Sequence, residues 1–322
     1  MSANQELHVV FGAGQVGPFL ARRLLAGGKK VRLVRRSTAA VNLEGVQLHR
    51  ADAGDAAAVA EAVRGATAVY HCMNPAYSAA VWAADLPRIQ ANLVAACGRA
   101  GARLIVLDNL YALGKPGGRP LSEATPLAPC SRKGEARARV HRDLEDAVRR
   151  GDVRAVTGRA SDFYGPGGVW TQFADRFFRP ALAGKRVVML PNLDQPHTYH
   201  YIPDVAAGLA ALGQDPGAKG TFMLPCRPAV TTRELVARIA AALGRPIAAS
   251  QMPPLLVALL ALGMPILREM KEMAYQWEEP FVVDDSKFRA RYGNLSTPEE
   301  AAAKATVEWA AATYGTGTVK LS

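Results

Sequence analysis

Cysteine and histidine are sparse in this chain of 322 residues, and their spacing excludes several classes of site. The cysteines, Cys72, Cys97, Cys130 and Cys226, form no C-x-x-C pair, so neither a zinc site nor a disulfide framework is indicated. No His-x-x-x-His pair occurs. We therefore expect no bound metal, and we expect free thiols, which are typical of a cytoplasmic protein.

Long apolar runs are also missing. No run reaches the ~18 residues that a membrane span requires, and the start of the chain lacks the pattern of a signal peptide. The nearest candidate, residues 255–262, is followed by Gly263 and Pro265. The sequence thus predicts a buried helix or a lid helix here, no membrane partner, and a cytoplasmic location.

Acidic residues are in deficit, with 28 Asp and Glu against 39 Lys and Arg, a net charge of +11. Such an excess is compatible with nucleic-acid binding. The basic residues are scattered along the chain, however, and aromatic residues make up only 7% of it. We interpret the charge as a solvated surface that also attracts an anionic cofactor or substrate, and we predict no nucleic-acid partner.

Strand-like and helix-like segments alternate through the first half of the chain. The predicted strands lie at residues 9–11, 30–34, 46–49, 68–72, 104–107 and 154–158, and the predicted helices lie at residues 19–25, 55–64, 85–100 and 132–150. Alternation of this kind implies right-handed crossovers and a parallel sheet covered on both faces. The predicted fold is therefore α/β, a Rossmann-type doubly wound parallel sheet.

The order of segments changes after a Gly/Pro-rich turn at residues 164–168. A capping box at Thr231 and Glu234 predicts a helix that ends at Leu243, and Pro298 is expected at the first position of the last helix. We predict an NAD(P)-binding Rossmann domain at residues 1–165. Residues 166–322 should mainly form a smaller α/β substrate lobe, with segments around 185–213 returning to the Rossmann core.

The glycines of residues 12–17 form a G-x-G-x-x-G pattern between the first strand and the first helix. The first glycine permits a tight turn, the second lets a pyrophosphate approach bare backbone, and the third allows close packing of helix and strand. The alternative is merely a tight strand-to-helix connection. Because a second strand follows within one βαβ unit, the pattern predicts a dinucleotide site.

The residues after the second strand indicate which dinucleotide is bound. Arg35, Arg36 and Ser37 stand where an NAD-binding fold places an acidic residue, and they can hold a 2′-phosphate. NADP(H) is therefore the preferred cofactor and NAD(H) the alternative, unless the arginines simply face water. Asp52 could accept the adenine amino group or cap the turn that follows it.

Polar and aromatic residues follow several predicted strands, where ligands of parallel sheets bind. Further cofactor contacts are expected from residues at these strand ends, namely Cys72, Met73, Asn74, Asn109 and Ser161, together with Gly12, Gly14, Gln15, Val16 and Gly17 of the glycine turn. Tyr77, Tyr164 and Tyr199 are the candidate substrate residues. For Asn74 and Tyr77 the alternative is a surface turn, and for the histidines near Tyr199 structural hydrogen bonding is preferred.

Lys133 lies near the start of a predicted helix, on the stripe that also carries Arg137, Val140 and Leu144. This stripe should face the core. A lysine there is more often functional than one on the opposite charged face, although a solvated lysine is the usual alternative.

Four segments together resemble the extended short-chain dehydrogenase/reductase family, specifically the NAD-dependent epimerase/dehydratase group with its atypical members. They are residues 12–17, 159–167, 201–206 and 283–287, and the resemblance extends over nearly the whole chain. It implies a nicotinamide cofactor and a homodimer formed through the helices beside Lys133.

The resemblance also implies a Tyr-x-x-x-Lys pair and a serine or threonine after the fifth strand. Lys133 falls where that lysine belongs and would hold the nicotinamide ribose. Pro129 replaces the tyrosine, and Asp108 and Asn109 stand where the serine is expected. The proton-transfer groups of the family are thus not carried over.

Three interpretations remain. The first is an oxidoreductase or epimerase-like enzyme for a small carbonyl, hydroxyl or sugar-type substrate, with Lys133 retained and the proton transferred by Tyr111, Tyr77, Tyr164 or Lys133 itself. We take Lys133 and Tyr111 as the catalytic candidates. The second is a non-catalytic NADP(H)-binding redox-sensing regulator. Nucleic-acid binding ranks last.

Overall fold

The computed structural model describes residues 6–37, 43–190 and 192–315. Its strands are β1 (Leu7–Phe11), β2 (Lys30–Arg35), β3 (Val46–Arg50), β4 (Ala66–His71), β5 (Arg103–Asp108), β6 (Arg154–Arg159), β7 (Asp162–Tyr164), β8 (Val187–Met189), β9 (Pro196–His197), β10 (Tyr199–Tyr201), β11 (Gly220–Met223), β12 (Val230–Thr231) and β13 (Ala249–Gln251). Its α-helices are α1 (Gly17–Ala26), α2 (Ala56–Val63), α3 (Ala79–Ala100), α4 (Arg132–Arg150), α5 (Asp175–Leu182), α6 (Ile202–Gln214), α7 (Thr232–Leu243), α8 (Pro254–Gly263), α9 (Pro265–Lys271), α10 (Ser286–Tyr292) and α11 (Glu299–Tyr314). Short 3₁₀ helices cover Tyr111–Leu113 and Ala274–Trp277.

Seven parallel strands of the described chain form the central sheet in the order β11-β6-β5-β4-β1-β2-β3. The apolar side chains of β1 alternate between its two faces, so that Val10 packs with α1 and α6 and Val9 packs with α2 and α3. Burial on both faces explains why the strands are continuous apolar runs. The predicted doubly wound α/β fold is confirmed.

Helix α4 has the predicted bounds because local signals mark both of its ends. The Ser131 side chain accepts a hydrogen bond from the Gly134 N–H, and Gly151 ends the helix in the left-handed conformation. The predicted stripe is buried and includes Lys133 and Arg137. The first two turns of α4 therefore point charged groups toward the ends of β5 and β6.

Helix α3 begins at Ala79, six positions before the predicted start at residue 85, so that prediction was wrong. The missed turn is stabilised by distant contacts. Ser78 makes no side-chain cap, and the Ala79 N–H instead donates to Glu269 Oε2 at 3.0 Å. Trp82 of the same turn is buried against α4. Neither contact is visible as a local sequence signal.

The later part of the chain both builds a second core and adds to the first. Helices α5, α7 and α11 pack together around a separate apolar cluster that includes Phe177 and Phe178. Helix α6 packs on α1, and β11 pairs with β6. The capping box of α7 is present, while Pro298 is the N-cap of α11 rather than its first residue. The division near residue 165 stays a prediction.

Helix α8 is exposed, which makes the buried alternative for residues 255–262 wrong. Leu255, Leu259 and Leu262 have 83%, 63% and 73% of their surface exposed. The run is apolar on every side, so its composition resembles that of a core helix, although Ala261 is the one buried residue among those of α8 whose burial is described. Among the described residues, no helix combines the length and the apolar character needed to cross a membrane.

Candidate functional site

The glycine turn connects β1 to α1 at the carboxyl edge of the sheet. Gly12 has a φ of +110°, and its N–H donates to the Val34 carbonyl at 3.0 Å. A Cβ at Gly12 would lie 2.6 Å from the Cys72 carbonyl oxygen, and one at Gly17 would lie 1.8 Å from the Gly12 carbonyl oxygen. Protein packing therefore requires glycine at both positions.

Gly14 differs from its two neighbours, because a Cβ there would meet no protein atom within 4 Å. Its backbone faces open space beside the N-terminus of α1, where Val16 provides no side-chain cap. Uncapped N–H groups at a helix start attract anions. The glycine at this position thus leaves room for a ligand rather than for protein, which fits a pyrophosphate approaching the bare backbone.

The predicted cofactor residues Arg35, Arg36 and Ser37 lie at the end of β2, the strand next to β1. Arg35 ends β2, and its Nη2 donates to the Ser37 hydroxyl, while Arg50 Nε donates to the Arg36 carbonyl at 3.1 Å. Arg36 and Ser37 are exposed. These basic groups border the glycine turn on the side where the adenosine half of a dinucleotide would lie.

Asp52 makes the contact expected of a turn cap, since its Oδ1 accepts the Gly54 N–H at 2.8 Å.

On the other side of the glycine turn, Cys72 and Met73 follow β4 and are half-buried. Met73 lies close to the position where a Cβ of Gly12 would be. The structure thus brings the β4 end against the glycine turn, as predicted, and leaves Asp52 at an exposed turn.

Gln15 and a later loop also meet at this edge. Gln15 Oε1 accepts the Trp170 N–H at 2.8 Å, and a Cβ at Gly167 would lie 2.9 Å from the Phe19 ring. The Gly/Pro-rich turn after β7 therefore packs directly on the glycine turn and the first turn of α1.

Lys133 is completely buried at the start of α4, and its ammonium is surrounded by acceptors. Its Nζ lies 2.6 Å from Glu269 Oε2 and 2.8 Å from the Glu269 carbonyl oxygen, and it also contacts Glu272 Oε1. All three ammonium protons thus have partners, which is the arrangement expected for a charged lysine. We call Tyr77, Tyr111, Lys133, Glu269 and Glu272 the lysine cluster.

Both carboxylates of the lysine cluster come from α9 and the residue that follows it. Although burial opposes its ionisation, hydrogen bonds from Lys133 and Arg132 hold the pKa of Glu272 below its usual value. Arg132 Nε is 3.1 Å from Glu272 Oε2. Two cations and two anions therefore balance here, so the buried lysine carries no uncompensated charge.

Tyr77 adjoins the ammonium of Lys133, and Tyr111 adjoins Tyr77. The Lys133 Nζ lies 4.7 Å from the centre of the Tyr77 ring, and Tyr77 is hydrogen-bonded to Tyr111. Tyr111 stacks on Trp82 with ring centres 5.9 Å apart. Burial raises the pKa of Tyr77 to about 12 and that of Tyr111 well above its usual range. Both phenols are therefore protonated at neutral pH and can donate.

Asp162 follows β6 and faces the same tyrosines, whose pKa values its charge raises further. Its Oδ2 lies 2.9 Å from Nε2 of the buried His197, while Nδ1 of that ring lies 3.2 Å from the Gln276 carbonyl. Both oxygens are acceptors, so both contacts are hydrogen bonds only when both ring nitrogens carry protons. The ring is stacked on Trp277.

Ser161 is buried beside this pair. Its N–H donates to His200 Nδ1 at 3.0 Å, and His200 Nε2 donates to the Leu224 carbonyl at 3.2 Å. Burial lowers the pKa of His200 to about 4, so the ring is neutral at pH 7. His200 therefore ties the end of β6 to the residue after β11.

A buried charge network lies beneath the ends of β5 and β6. Arg137 Nη1 and Arg159 Nε each lie 3.3 Å from a carboxylate oxygen of Asp108. Arg137 also donates to the Asn74 side chain and covers the Trp82 ring. Asp108 thus serves as the counter-ion of two arginines, at the position where the resemblance implies a hydroxyl group.

The remaining predicted residues are placed less directly at the cleft. Asn109 Oδ1 accepts the Tyr111 N–H at 3.1 Å and so shapes the turn that presents Tyr111. Tyr164 is buried against Tyr201. Tyr199 is buried and its hydroxyl lies 2.7 Å from the Thr232 hydroxyl, so it is held within the second apolar cluster.

Sequence reasoning missed Glu269, Glu272 and the pairing of Asp162 with His197. Glu269 stands next to Arg268 and Glu272 stands next to Lys271 in an ordinary charged stretch, which carries no signal for a site. Asp162 entered the sequence analysis only as part of the segment 159–167 that carries the resemblance. Among the described residues, no group of three or more His, Cys, Asp or Glu side chains is arranged to hold a metal ion.

Comparisons with known proteins agree with this architecture. The model of the NAD dependent epimerase/dehydratase family matches residues 8–223. No curated protein sequence matches the chain significantly.

Similar solved structures include the UDP-glucose 4-epimerase of Thermus thermophilus in complex with NAD, which is 22% identical with a TM-score of 0.74 over 94% of this chain and 98% of that one. The UDP-glucuronic acid 4-epimerase of Bacillus cereus with UDP-glucuronic acid and NAD is 16% identical, with a TM-score of 0.77 over 96% and 100%. The UDP-N-acetylglucosamine 4-epimerase of Methanobrevibacter ruminantium M1 is 17% identical, with a TM-score of 0.75 over 97% and 100%. At these identities the likeness concerns the fold.

Proposed function

From the premise that this chain belongs to the NAD dependent epimerase/dehydratase family, we propose that it is an oxidoreductase or epimerase-like enzyme that uses a nicotinamide dinucleotide. Its substrate is a small carbonyl, hydroxyl or sugar-type compound. The observation that carries the proposal is the pair of protonated phenols beside the buried Lys133, at the carboxyl edge of the sheet.

The fit of the glycine turn to a pyrophosphate supports the cofactor assignment. Gly14 leaves open space that the protein does not use, and the start of α1 has no side-chain cap. Arg35, Arg36 and Ser37 favour NADP(H), because guanidinium groups and a hydroxyl make strong hydrogen bonds to a 2′-phosphate. Two of the similar structures contain NAD, so NAD(H) is the alternative to be measured.

The tyrosine pair takes the place of the tyrosine that Pro129 removes. A bound reduced cofactor would supply the hydride, with its two electrons, that a substrate carbonyl carbon needs for reduction. Tyr111 donates its proton to the carbonyl oxygen, so that a hydroxyl group forms. Tyr77 hydrogen-bonds the phenolate that remains, and the charged Lys133 stabilises it from beside the Tyr77 ring.

Lys133 is best suited to this electrostatic role. Its three acceptors hold the ammonium in one position, so the group is oriented before substrate binds. Hydroxyl groups of a nicotinamide ribose would share these protons with Glu269 and Glu272. Asp162 acts on the same tyrosines and is held by His197, so its carboxylate would be a further polar contact for substrate.

The experiment that tests the proposal measures cofactor binding and turnover separately. Fluorescence titration with NADPH and NADH gives the two dissociation constants. Absorbance at the dihydronicotinamide band then follows turnover with a panel of aldehydes and ketones. Chromatography of UDP-glucose incubated with the oxidised cofactor detects epimerisation, which causes no net change in that absorbance. We expect turnover with at least one compound, and a loss of kcat of at least a hundredfold in Tyr111→Phe with little change in NADPH affinity.

Tyr314→Phe is the matched control, since this half-buried tyrosine lies in the second apolar cluster away from the cleft. It should leave kcat unchanged. Tight NADPH binding without turnover of any compound would contradict the enzymatic proposal and favour the non-catalytic redox-sensing regulator.

A further inference from the structure

Helix α8 carries the largest exposed apolar feature of the described chain. Residues 252–267 include no charged side chain. The side chains that project from α8 form what we call the leucine ridge, which consists of Leu255, Leu256, Leu259, Leu260 and Leu262. Contiguous exposed apolar surface of this kind marks an interaction site rather than an ordinary protein surface.

The leucine ridge extends around more than half of the helix. At about 100° per residue, its five leucines cover an arc of roughly 160°, and the exposed Ala258 widens it to roughly 200°. Of the α8 side chains whose burial is described, only Val257 and Ala261 face the protein side. A helix that docks in a protein groove presents a narrower apolar stripe. A helix exposed over this arc suits a fluid apolar medium that surrounds it.

At the base of the leucine ridge, the acidic side chains point into the protein and the basic side chains point into solvent. Glu269 and Glu272 turn inward to Lys133, whereas Arg268 and Lys271 face outward. Arg268 also donates to the Ala261 carbonyl at 2.7 Å and so stays close to α8. The outward charge beside the leucines is therefore positive, in a chain whose net charge is +11.

A groove between α8 and α9 combines apolar surface with outward positive charge. It has a volume of about 470 Å³ and is lined by Ala258, Ala261, Leu262, Arg268, Lys271 and Glu272. An apolar floor with a basic rim matches an acyl chain beneath an anionic headgroup.

We propose that the leucine ridge docks this protein on the surface of an anionic lipid bilayer. The leucines enter the boundary between headgroups and acyl chains, and Arg268 and Lys271 contact lipid phosphates. With ten residues α8 is about 15 Å long, too short for a hydrocarbon core of about 30 Å, so it lies in the interface. This proposal replaces the expectation of no membrane partner and does not depend on the proposed enzymatic function.

The test is co-sedimentation of the full chain with lipid vesicles. The protein should sediment with vesicles of phosphatidylcholine that contain one third phosphatidylglycerol. Much less protein should sediment with vesicles of phosphatidylcholine alone. The triple variant Leu255→Ser, Leu259→Ser, Leu262→Ser should bind anionic vesicles at least tenfold more weakly, because each leucine loses its transfer into the apolar phase.

A control changes two exposed aliphatic residues away from α8, namely Leu48→Ser in β3 and Val148→Ser near the C-terminal end of α4. It should bind vesicles as the native chain does. Lys271→Ala should weaken binding to anionic vesicles about fivefold and leave binding to neutral vesicles unchanged. Thermal melts of all variants confirm that they are folded.

Two results would overturn the proposal. One is a native chain that stays in the supernatant with anionic vesicles at low salt. The other is a dimer in size-exclusion chromatography that the leucine triple variant converts to a monomer, with no vesicle binding by either form, since the ridge would then cover a second copy of the chain.

Discussion

The glycine turn and the lysine cluster lie at the same edge of the sheet but are built in opposite ways. The glycine turn consists of residues 12–17, and its constraints are backbone contacts within the turn and with the end of β4. The lysine cluster brings together residues 77, 111, 133, 269 and 272, and its constraint is charge balance around a buried ammonium. A motif search can find the first kind of site and not the second.

The two regions also differ in what their residues must satisfy. Gly12 and Gly17 are required by the fold, whereas Gly14 leaves space for a ligand. In the lysine cluster, by contrast, Glu269 caps α3 through the Ala79 N–H and also holds Lys133. Glu269 thus contributes both to folding and to the site. Variants of the two regions can therefore be compared by measuring their stability and their cofactor binding separately.

The largest effect is expected from removing the counter-ions of Lys133. The double variant Glu269→Gln, Glu272→Gln leaves a fully buried ammonium without an opposite charge, which should lower the free energy of unfolding by about 3–5 kcal/mol. Urea denaturation at pH 7 measures the loss. Adding Lys133→Met should recover much of it, and failure to do so would show that the carboxylates stabilise the fold without Lys133.

A control for that variant is the exposed pair of Lys115 and Glu278, 2.9 Å apart. Glu278→Gln should leave the urea midpoint unchanged, because exposed ion pairs contribute little.

The glycine turn offers a paired test with a smaller effect. Gly17→Ala places a Cβ against the Gly12 carbonyl and should cost about 1–3 kcal/mol of stability. Gly14→Ala should leave the urea midpoint unchanged and weaken NADPH binding at least tenfold, because the added methyl occupies the space of the pyrophosphate. Equal stability losses in both variants would contradict the distinction drawn between these glycines.

Two buried histidines, His71 at the end of β4 and His200 in β10, predict how stability depends on pH. Burial lowers their pKa values to about 3 and about 4, while in the unfolded chain they titrate near ~6.5. Below about pH 6.5 the unfolded state therefore binds more protons than the folded state. As the pH is lowered, the free energy of unfolding decreases by up to about 1.4 kcal/mol per pH unit for each ring. Stability reaches its plateau above this range.

Urea denaturation at pH 7, 6 and 5 measures this slope. His200→Asn should reduce the slope by about one proton while lowering the stability at pH 7. An unchanged slope would mean that His200 is not the titrating group.

The smallest effect concerns cofactor choice. Arg35→Ala with Arg36→Ala should weaken NADPH binding about tenfold more than NADH binding, because only NADPH carries the 2′-phosphate. Fluorescence titration with both cofactors measures the ratio. Equal losses for the two would contradict the assignment of these arginines to the phosphate.

Much of the Rossmann half could be predicted because its signals are local. Helix α4 has the predicted bounds, since Ser131 and Gly151 mark its ends and the apolar stripe has helical spacing. Helix α3 started earlier than predicted, because its first turn is capped by Glu269, 190 positions away. The exposure of α8 was also not predictable, since an apolar run has the same composition in a core and on a surface.

The candidate site divides in the same way. Lys133 was predicted from its stripe and from the spacing that the resemblance implies, Tyr111 was the second catalytic candidate, and Tyr77 was a substrate candidate. Their contact with each other and with Lys133 needed the ends of β4, β5 and α4 to be placed together. Asp162 and His197 became a pair only when β7 and β10 were paired.

The sequence by itself determined the parallel sheet, the glycine turn and the buried position of Lys133, because strand alternation, turn chemistry and helical spacing act over a few residues. Only the tertiary structure decided what neutralises Lys133, which tyrosines adjoin it and which side of α8 meets solvent. These depend on contacts between residues far apart in the chain, and a buried charge or an exposed leucine acquires its meaning from the groups that surround it.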